Sequence, residues 1–254
     1  MIYCNNMMWL TISSPVNRIN LIFLKGITMP SMTFVVLAKS VKHKKFCVAG
    51  KLFTNGVIGG WVRPVNPETD TDALTYKNIE YSSKKHPEIF HVTSFNYLRN
   101  EPHQIQRENY SIDPSIYWSK EGVFSLNNID RLADNPPTLW INGSSSYNGE
   151  NDRFLSNLVV HPLQSLYFIR VMNFRIRIKR EGADFGNDTK KFRGYFTYNN
   201  VSYALVITDP EIYSAYGQKN EGTYDVGACY ITLSTAPHND GYCYKFIAAV
   251  IVLV

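Results

Sequence analysis

Between Leu166 and Arg180 the chain carries two alternations that disagree with each other. Downstream, Phe174, Ile176 and Ile178 share one parity, while Arg175, Arg177 and Lys179 share the other. Successive side chains on a strand point to opposite faces, so this half has one apolar and one basic face. Upstream, the apolar positions Tyr167, Ile169 and Val171 fall on the opposite parity. A one-residue change of phase turns every side chain to the other face, so a single core demands a bulge or bend near Met172–Asn173. A long first strand that bends midway and serves two parts of a barrel is typical of small Greek-key barrels. Its basic face is either a solvated exterior or a phosphate track. Solvated faces usually mix charge signs, and three cations with no acid between them favour the track.

The rest of the second half is short strands and turns. Lys191–Tyr198 and Val201–Ile207 read as a hairpin around Asn199-Asn200. Thr208-Asp209-Pro210 ends the second of these, and Asp209 is placed to cap a short helix over Glu211–Tyr216. Val226–Leu233 and Tyr242–Leu253 are the final strands. Alternation puts Cys243 and Lys245 on one face of the last strand, where Lys245 either snorkels to a rim or points into a site.

The first half has the same character. Thr33–Val41, Phe46–Phe53 and Gly59–Val65 read as a meander, with Gly50 at a bulge or bend and Asn55-Gly56 at a hairpin turn. A long polar connection with at most one short element covers Asn66–Lys85. Strand character resumes over Glu88–Tyr97, and Thr138–Ile141 reads as a strand that closes the first barrel. Gly143–Gly149 has the composition of a linker. Each half thus holds about five β-segments with an early break and little helix, which favours two small barrels in tandem over one large sandwich. No strand–glycine-loop–helix phosphate motif and no sustained helical periodicity occur, which argues against an α/β enzyme.

Two constellations in the first half carry chemistry. Trp61 and Arg63 flank Val62 and share a strand face, near Lys42, Lys44 and Lys45. A ring beside a guanidinium can hold a base and a phosphate. The same spacing also describes a buried Trp with an Arg at the rim of a barrel. Gln106, Glu108 and Asn109 form a dense polar group between apolar flanks, suited either to reading base edges or to satisfying backbone in a loop across a barrel mouth.

Composition narrows the classes. Aromatic residues are 14%, with 17 Tyr and 14 Phe, which favours β-structure. The net charge of +5 permits an anionic partner without demanding one. Cys4, Cys47, Cys229 and Cys243 include no pair at metal-knuckle or redox spacing, so buried thiols in a reducing cytoplasm are the expectation, with no metal and no cofactor. Leu21–Leu24 is too short for a membrane span or a signal core, and no membrane partner is expected. Met1–Ser31 differs in texture from the remainder of the chain and is expected to be an extension outside the fold, with a native start at Met29 or Met32. The first barrel is then expected over residues 32–157 and the second over 158–254.

Taken in order, several segments resemble the bacterial dual OB-fold domain family. They are Lys39 with Cys47–Gly50, Gly60–Val65, Gln106–Asn109, Thr208–Pro210, Ile231–Ser234 and Gly241–Ala248. The resemblance covers about Met32 to Val254. It implies a mainly β chain of two tandem OB-like small β-barrels, and a role in recognising nucleic acid, in defence against invading elements. The motif positions it carries over are Trp61, Arg63, Gln106, Glu108, Asn109, Asp209 and Lys245. Val62 stands where the pattern often has isoleucine, and Thr235-Ala236 departs from the family's glycine-acidic turn.

Three function classes are compatible with these residues. The first is a non-catalytic module for single-stranded DNA or RNA, contacting its ligand through Lys42, Lys44, Lys45, Trp61, Arg63, Arg175, Arg177 and Lys179. The second is an enzyme or nucleotide sensor with Arg63, Glu108, Asp209 and Lys245 gathered between the barrels. The third is an interaction domain for proteins of the same operon, which the many tyrosines would suit. No Ser-His-Asp or Cys-His arrangement can be argued from spacing, so no catalytic residue is assigned.

Overall fold

The computed structural model describes residues 30–253 apart from 43, 44, 70, 71, 103, 104, 160–162, 184, 185 and 187. The extension expected over Met1–Ser31 lies outside the described residues except at its end, where Ser31 already pairs with Asn96 in the first sheet.

Five strands close the first barrel: β1 (Ser31–Lys42), β2 (Lys45–Thr54), β3 (Val57–Val65), β4 (His91–Asn100) and β5 (Asn109–Ile112). Their order is β1-β2-β3-β5-β4, with β4 returning to β1 and β3 running parallel to β5. A further strand, β6 (Ser119–Val123), adds to β4 outside the ring. Asn55 and Gly56 adopt positive φ at the β2–β3 turn, as the hairpin dipeptide requires. Gly50 is a close approach: a Cβ there would lie 1.9 Å from the Val35 carbonyl oxygen. Phe34, Val36, Val48, Val62, Phe95 and Trp118 fill the interior.

The second sheet begins with β7 (Arg153–Leu155), then β8 (Leu166–Glu181), β9 (Thr189–Tyr198), β10 (Val201–Ile207), β11 (Gly222–Pro237) and β12 (Tyr242–Val252). Strands β8 to β12 repeat the ring order of the first barrel, with β10 parallel to β12 and β11 returning to β8. The short helix α1 (Pro210–Tyr216) connects the third strand of this ring to the fourth.

The bend in β8 is where the sequence places it. Met172 and Asn173 are exposed in succession between buried Val171 and Phe174. The pairing with β11 slips there, from Cys229 opposite Val171 to Gly227 opposite Phe174. Beyond it, Phe174, Ile176 and Ile178 enter the core and Arg175, Arg177 and Lys179 face solvent. Before it, the start of β8 is buried on both faces, and Arg170 is exposed. Ile169 and Val171 point into the second barrel, while Leu166 and Phe168 point toward the first.

That second contact makes the barrels share a core. Val35, Leu37, Ala49 and Trp61 on the outside of the first barrel pack with Phe124, Ile129 and Leu132 of the connecting segment. Leu166, Phe168, Tyr230 and Ala248 of the second barrel complete the cluster. Fully burying each large side chain contributes about 1.5–3 kcal/mol, so this seam is a major stabilising element.

Thr138–Ile141, expected as a closing strand of the first barrel, is irregular. The first ring is already closed by β4 on β1, so no ring edge is left to take it. Leu139 and Trp140 instead enter the core of the second barrel, with Trp140 at φ 60° and its Nε1 donating to the Gln164 carbonyl at 2.8 Å.

Candidate nucleic-acid interface

The candidate residues separate into a buried set and an exposed set. Alternation puts Trp61 and Arg63 on the outside of β3, the face that the second barrel and the connecting segment cover. The Trp61 ring is 7% exposed, and its Nε1 donates to Asp134 Oδ2 at 3.0 Å. Asp134 also accepts from Lys51 Nζ at 2.6 Å and from the Phe168 backbone N–H at 2.8 Å. One carboxylate from the connecting segment therefore ties β2, β3 and β8 together.

Arg63 lies two residues on and is 8% exposed. Its Nη2 donates to Ser165 Oγ at 2.8 Å and sits 3.4 Å from Glu108 Oε1. The Ser165 hydroxyl also donates to Glu108 Oε1. Arg63 and Asn109 are paired residues of the parallel β3–β5 contact, which fixes Glu108 beside the guanidinium. Asn109 Nδ2 donates to Gln106 Oε1 at 3.3 Å, and Gln106 Nε2 donates to the Thr235 carbonyl of β11 at 3.4 Å. Glu108 Oε2 and Asn109 Oδ1 are buried without a partner among the described residues. The loop between β4 and β5 thus docks on the second barrel.

Asp209 and Lys245 sit elsewhere, each with its own partners. Asp209 caps α1 through the Glu211 N–H at 2.9 Å and holds the Val250 N–H of β12 at 2.8 Å. Burial pushes its carboxyl above the usual range, and the two N–H donors oppose that rise. Lys245 is 1% exposed inside the second barrel. Its Nζ donates to Asn142 Oδ1 at 2.8 Å and lies 5.2 Å from the Tyr203 ring centroid. Burial pushes this ammonium down to about 7. Of the four ionisable motif residues, only Arg63 and Glu108 contact each other directly.

The exposed set lies on the outer face of β8 and its neighbour β9. Arg175 is opposite Tyr195, Arg177 opposite Arg193, and Lys179 opposite Lys191. Arg175, Arg177 and Lys179 form no ion pair among the described residues. The Arg177 guanidinium lies 6.0 Å from the Tyr195 ring centroid, and its Nη1 donates to the Tyr195 hydroxyl at 3.4 Å. Arg193 is buried by comparison, held by two bonds to Glu181 at 2.8 and 3.0 Å. In the first barrel, Lys42 and Lys45 are opposed across the β1–β2 turn, and Lys45 is half-buried. Lys44 lies outside the described residues.

Sequence reasoning missed Lys51, Asp134, Ser165, Arg193 and Tyr195. Tyr195 could have been found, because Phe192, Gly194 and Phe196 alternate with it along β9. Asp134 and Ser165 lie in irregular chain, where no periodicity marks them. Among the described residues no three His, Cys, Asp or Glu side chains gather as a metal site. Burial pushes the Cys229 and Cys243 thiols up to about 12 and about 11, which suits packing rather than reactivity. No helix among the described residues is long and apolar enough to cross a membrane.

No curated protein matches the chain. Among solved structures it is similar to a murine DNA binding protein bound with double-stranded DNA, at 12% identity over 89% of this chain and 100% of that one, with a TM-score of 0.28. It is also similar to the p204 HINb domain, at 11% identity over 86% and 97%, with a TM-score of 0.31. A third similar structure concerns the molecular basis for abrogation of activation of pro-inflammatory cytokines, at 11% identity over 87% and 93%, with a TM-score of 0.33. The profile of the dual OB-containing domain matches residues 32–250, and each of the two rings has the five-stranded barrel order that this description calls for. The chain therefore belongs to the family of dual OB-containing domain proteins.

Proposed function

We propose that this protein is a nucleic-acid-binding module that receives a single strand on the outer face of its second barrel. The observation that carries the proposal is the row Arg175, Arg177 and Lys179, exposed, without an ion pair among the described residues, and set beside the Tyr195 ring. OB barrels bind strands by laying bases on aromatic side chains while cations follow the phosphates. The outer face of β8 and β9 offers both on one surface. On the first barrel, Val35, Leu37, Ala49 and Trp61 face the second barrel and the connecting segment, so in this reading Trp61, Arg63, Gln106, Glu108 and Asn109 hold the two barrels in register. Asp209 and Lys245 likewise serve the interior of the second barrel. A setting in defence against invading elements makes the same demand, affinity for nucleic acid.

The test is fluorescence anisotropy with single- and double-stranded DNA and RNA. Three phosphate contacts give a log–log salt slope of about −2 on single strands, or a roughly twentyfold loss between ~50 and ~200 mM salt. The triple variant R175E/R177E/K179E should fold normally and lose this binding. Equal affinity of the variant and the parent protein for every nucleic acid would remove the row from the interface.

A further inference from the structure

A cleft of about 240 Å³ opens on this same face, between the outer surface of β8–β9 and a turn at residues 147–150. Its lining includes Tyr147, Glu150, Arg177, Lys179, Glu181 and Tyr195. The turn belongs to the segment that fills the gap where β10 and β12 diverge. Glu150 pairs with Ala204 of β10 in both directions, through backbone bonds of 3.0 and 3.3 Å, and the Lys245 N–H donates to the Asp152 carbonyl at 2.8 Å.

The cleft is fixed rather than collapsible. Asp152 is 3% exposed. Its carboxylate accepts from the Ser146 N–H at 2.7 Å, from the Ser146 hydroxyl, and from Arg193 Nη1 at 3.4 Å. Arg193 also grips Glu181 with two bonds, so one buried ion network clamps the turn onto the sheet. Alanine at Ala204, directly opposite Tyr195 on the neighbouring strand, leaves open space beside the ring. Tyr147 stands on the turn, 81% exposed.

These groups match one nucleotide. The volume equals that of roughly eight water molecules, which is enough for one base. Tyr195 offers a stacking face, and Arg177 and Lys179 offer phosphate contacts. Two carboxylates line the cleft beside these cations; Glu181 is held by Arg193, which leaves Glu150 as the acceptor-only group that faces a ligand. A carboxylate accepts from an exocyclic amino group such as cytosine N4, at the position where thymine and uracil carry the O4 carbonyl.

We infer that the cleft takes one unstacked base of the bound strand and that Glu150 selects bases bearing an amino group over thymine or uracil. This rests on the strand-binding reading of the β8–β9 face. The experiment compares oligo-dC with oligo-dT of about twelve nucleotides on the full chain, for the parent protein and Glu150→Ala. A side-chain pair of this kind discriminates by about tenfold, so oligo-dC should bind about tenfold more tightly than oligo-dT. Glu150→Ala should bring the ratio near one by weakening oligo-dC alone. Tyr195→Leu should weaken both oligonucleotides, with thermal melting confirming that it is folded. Equal binding of the two oligonucleotides by the parent protein, or a ratio that survives Glu150→Ala, overturns the base-selecting cleft and leaves the strand-binding face standing. Failure of both oligonucleotides to bind at low salt sinks that face, and the cleft with it.

Discussion

Arg63→Ala separates a structural role for the buried motif from a binding role. The substitution removes a guanidinium that is 8% exposed and that faces Glu108 Oε1 at 3.4 Å and Ser165 Oγ at 2.8 Å. Glu108 is itself 5% exposed, and its Oε2 already has no partner among the described residues. Once Arg63 is gone, that carboxylate keeps only the Ser165 hydroxyl. Breaking one side of a buried pair costs about 3–5 kcal/mol, because the remaining charge is left in a poor solvent. Chains of this size lose about 2–4 °C of melting temperature per kcal/mol, so a fall of roughly 6–20 °C is expected by circular dichroism. The double variant R63M/E108Q removes both charges and should recover most of that loss. At a temperature where Arg63→Ala remains folded, its oligonucleotide affinity should stay within about twofold of the parent. A variant that melts like the parent yet no longer binds nucleic acid would refute this assignment and return Arg63 to the interface.

The same contacts set other expectations. Asp134→Ala strands Lys51 and the Trp61 N–H together, and should cost about 2–4 kcal/mol in urea denaturation while leaving oligonucleotide affinity intact. Gly50→Ala drives a methyl to 1.9 Å from the Val35 carbonyl, so it should lower stability by at least about 1–3 kcal/mol or abolish soluble expression. Lys245 is lowered from 10.5 to about 7 in the folded chain, so the unfolded state binds the proton more tightly between those values. Its penalty is full below pH 7 and fades as pH rises toward 10.5, so the urea midpoint should increase from pH 7 to 9.5. Lys245→Met should flatten that rise and stabilise the protein at pH 7, by no more than a few kcal/mol.

The barrels were legible because their cores obey a period of two. The phase change in Leu166–Arg180 located the bend at Met172–Asn173, and Asn55-Gly56 and Asn199-Asn200 marked their turns. Asp209 was recognisable as a helix cap from its neighbours alone. Thr138–Ile141 misled because a run such as Thr-Leu-Trp-Ile looks the same in a strand and in an irregular segment threaded into a core. The site was harder for a similar reason. Trp61 and Arg63 do share a face, as their spacing requires, but spacing cannot say what lies across from that face. Their partners Asp134 and Ser165 are 73 and 102 residues away in the chain, and no local pattern announces them. The basic parity of Arg175, Arg177 and Lys179 was visible because three exposed cations alternate with three core residues along one strand.

Photo-crosslinking identifies the surface that meets the strand. A mixed-sequence single strand carrying iodouracil would be irradiated with the full chain and the attachment points mapped by mass spectrometry. Attachment is expected at Tyr195 or Tyr147 and in peptides of β8 and β9, and it should be lost in R175E/R177E/K179E. Attachment at Trp61, or confined to the first barrel, would contradict this expectation.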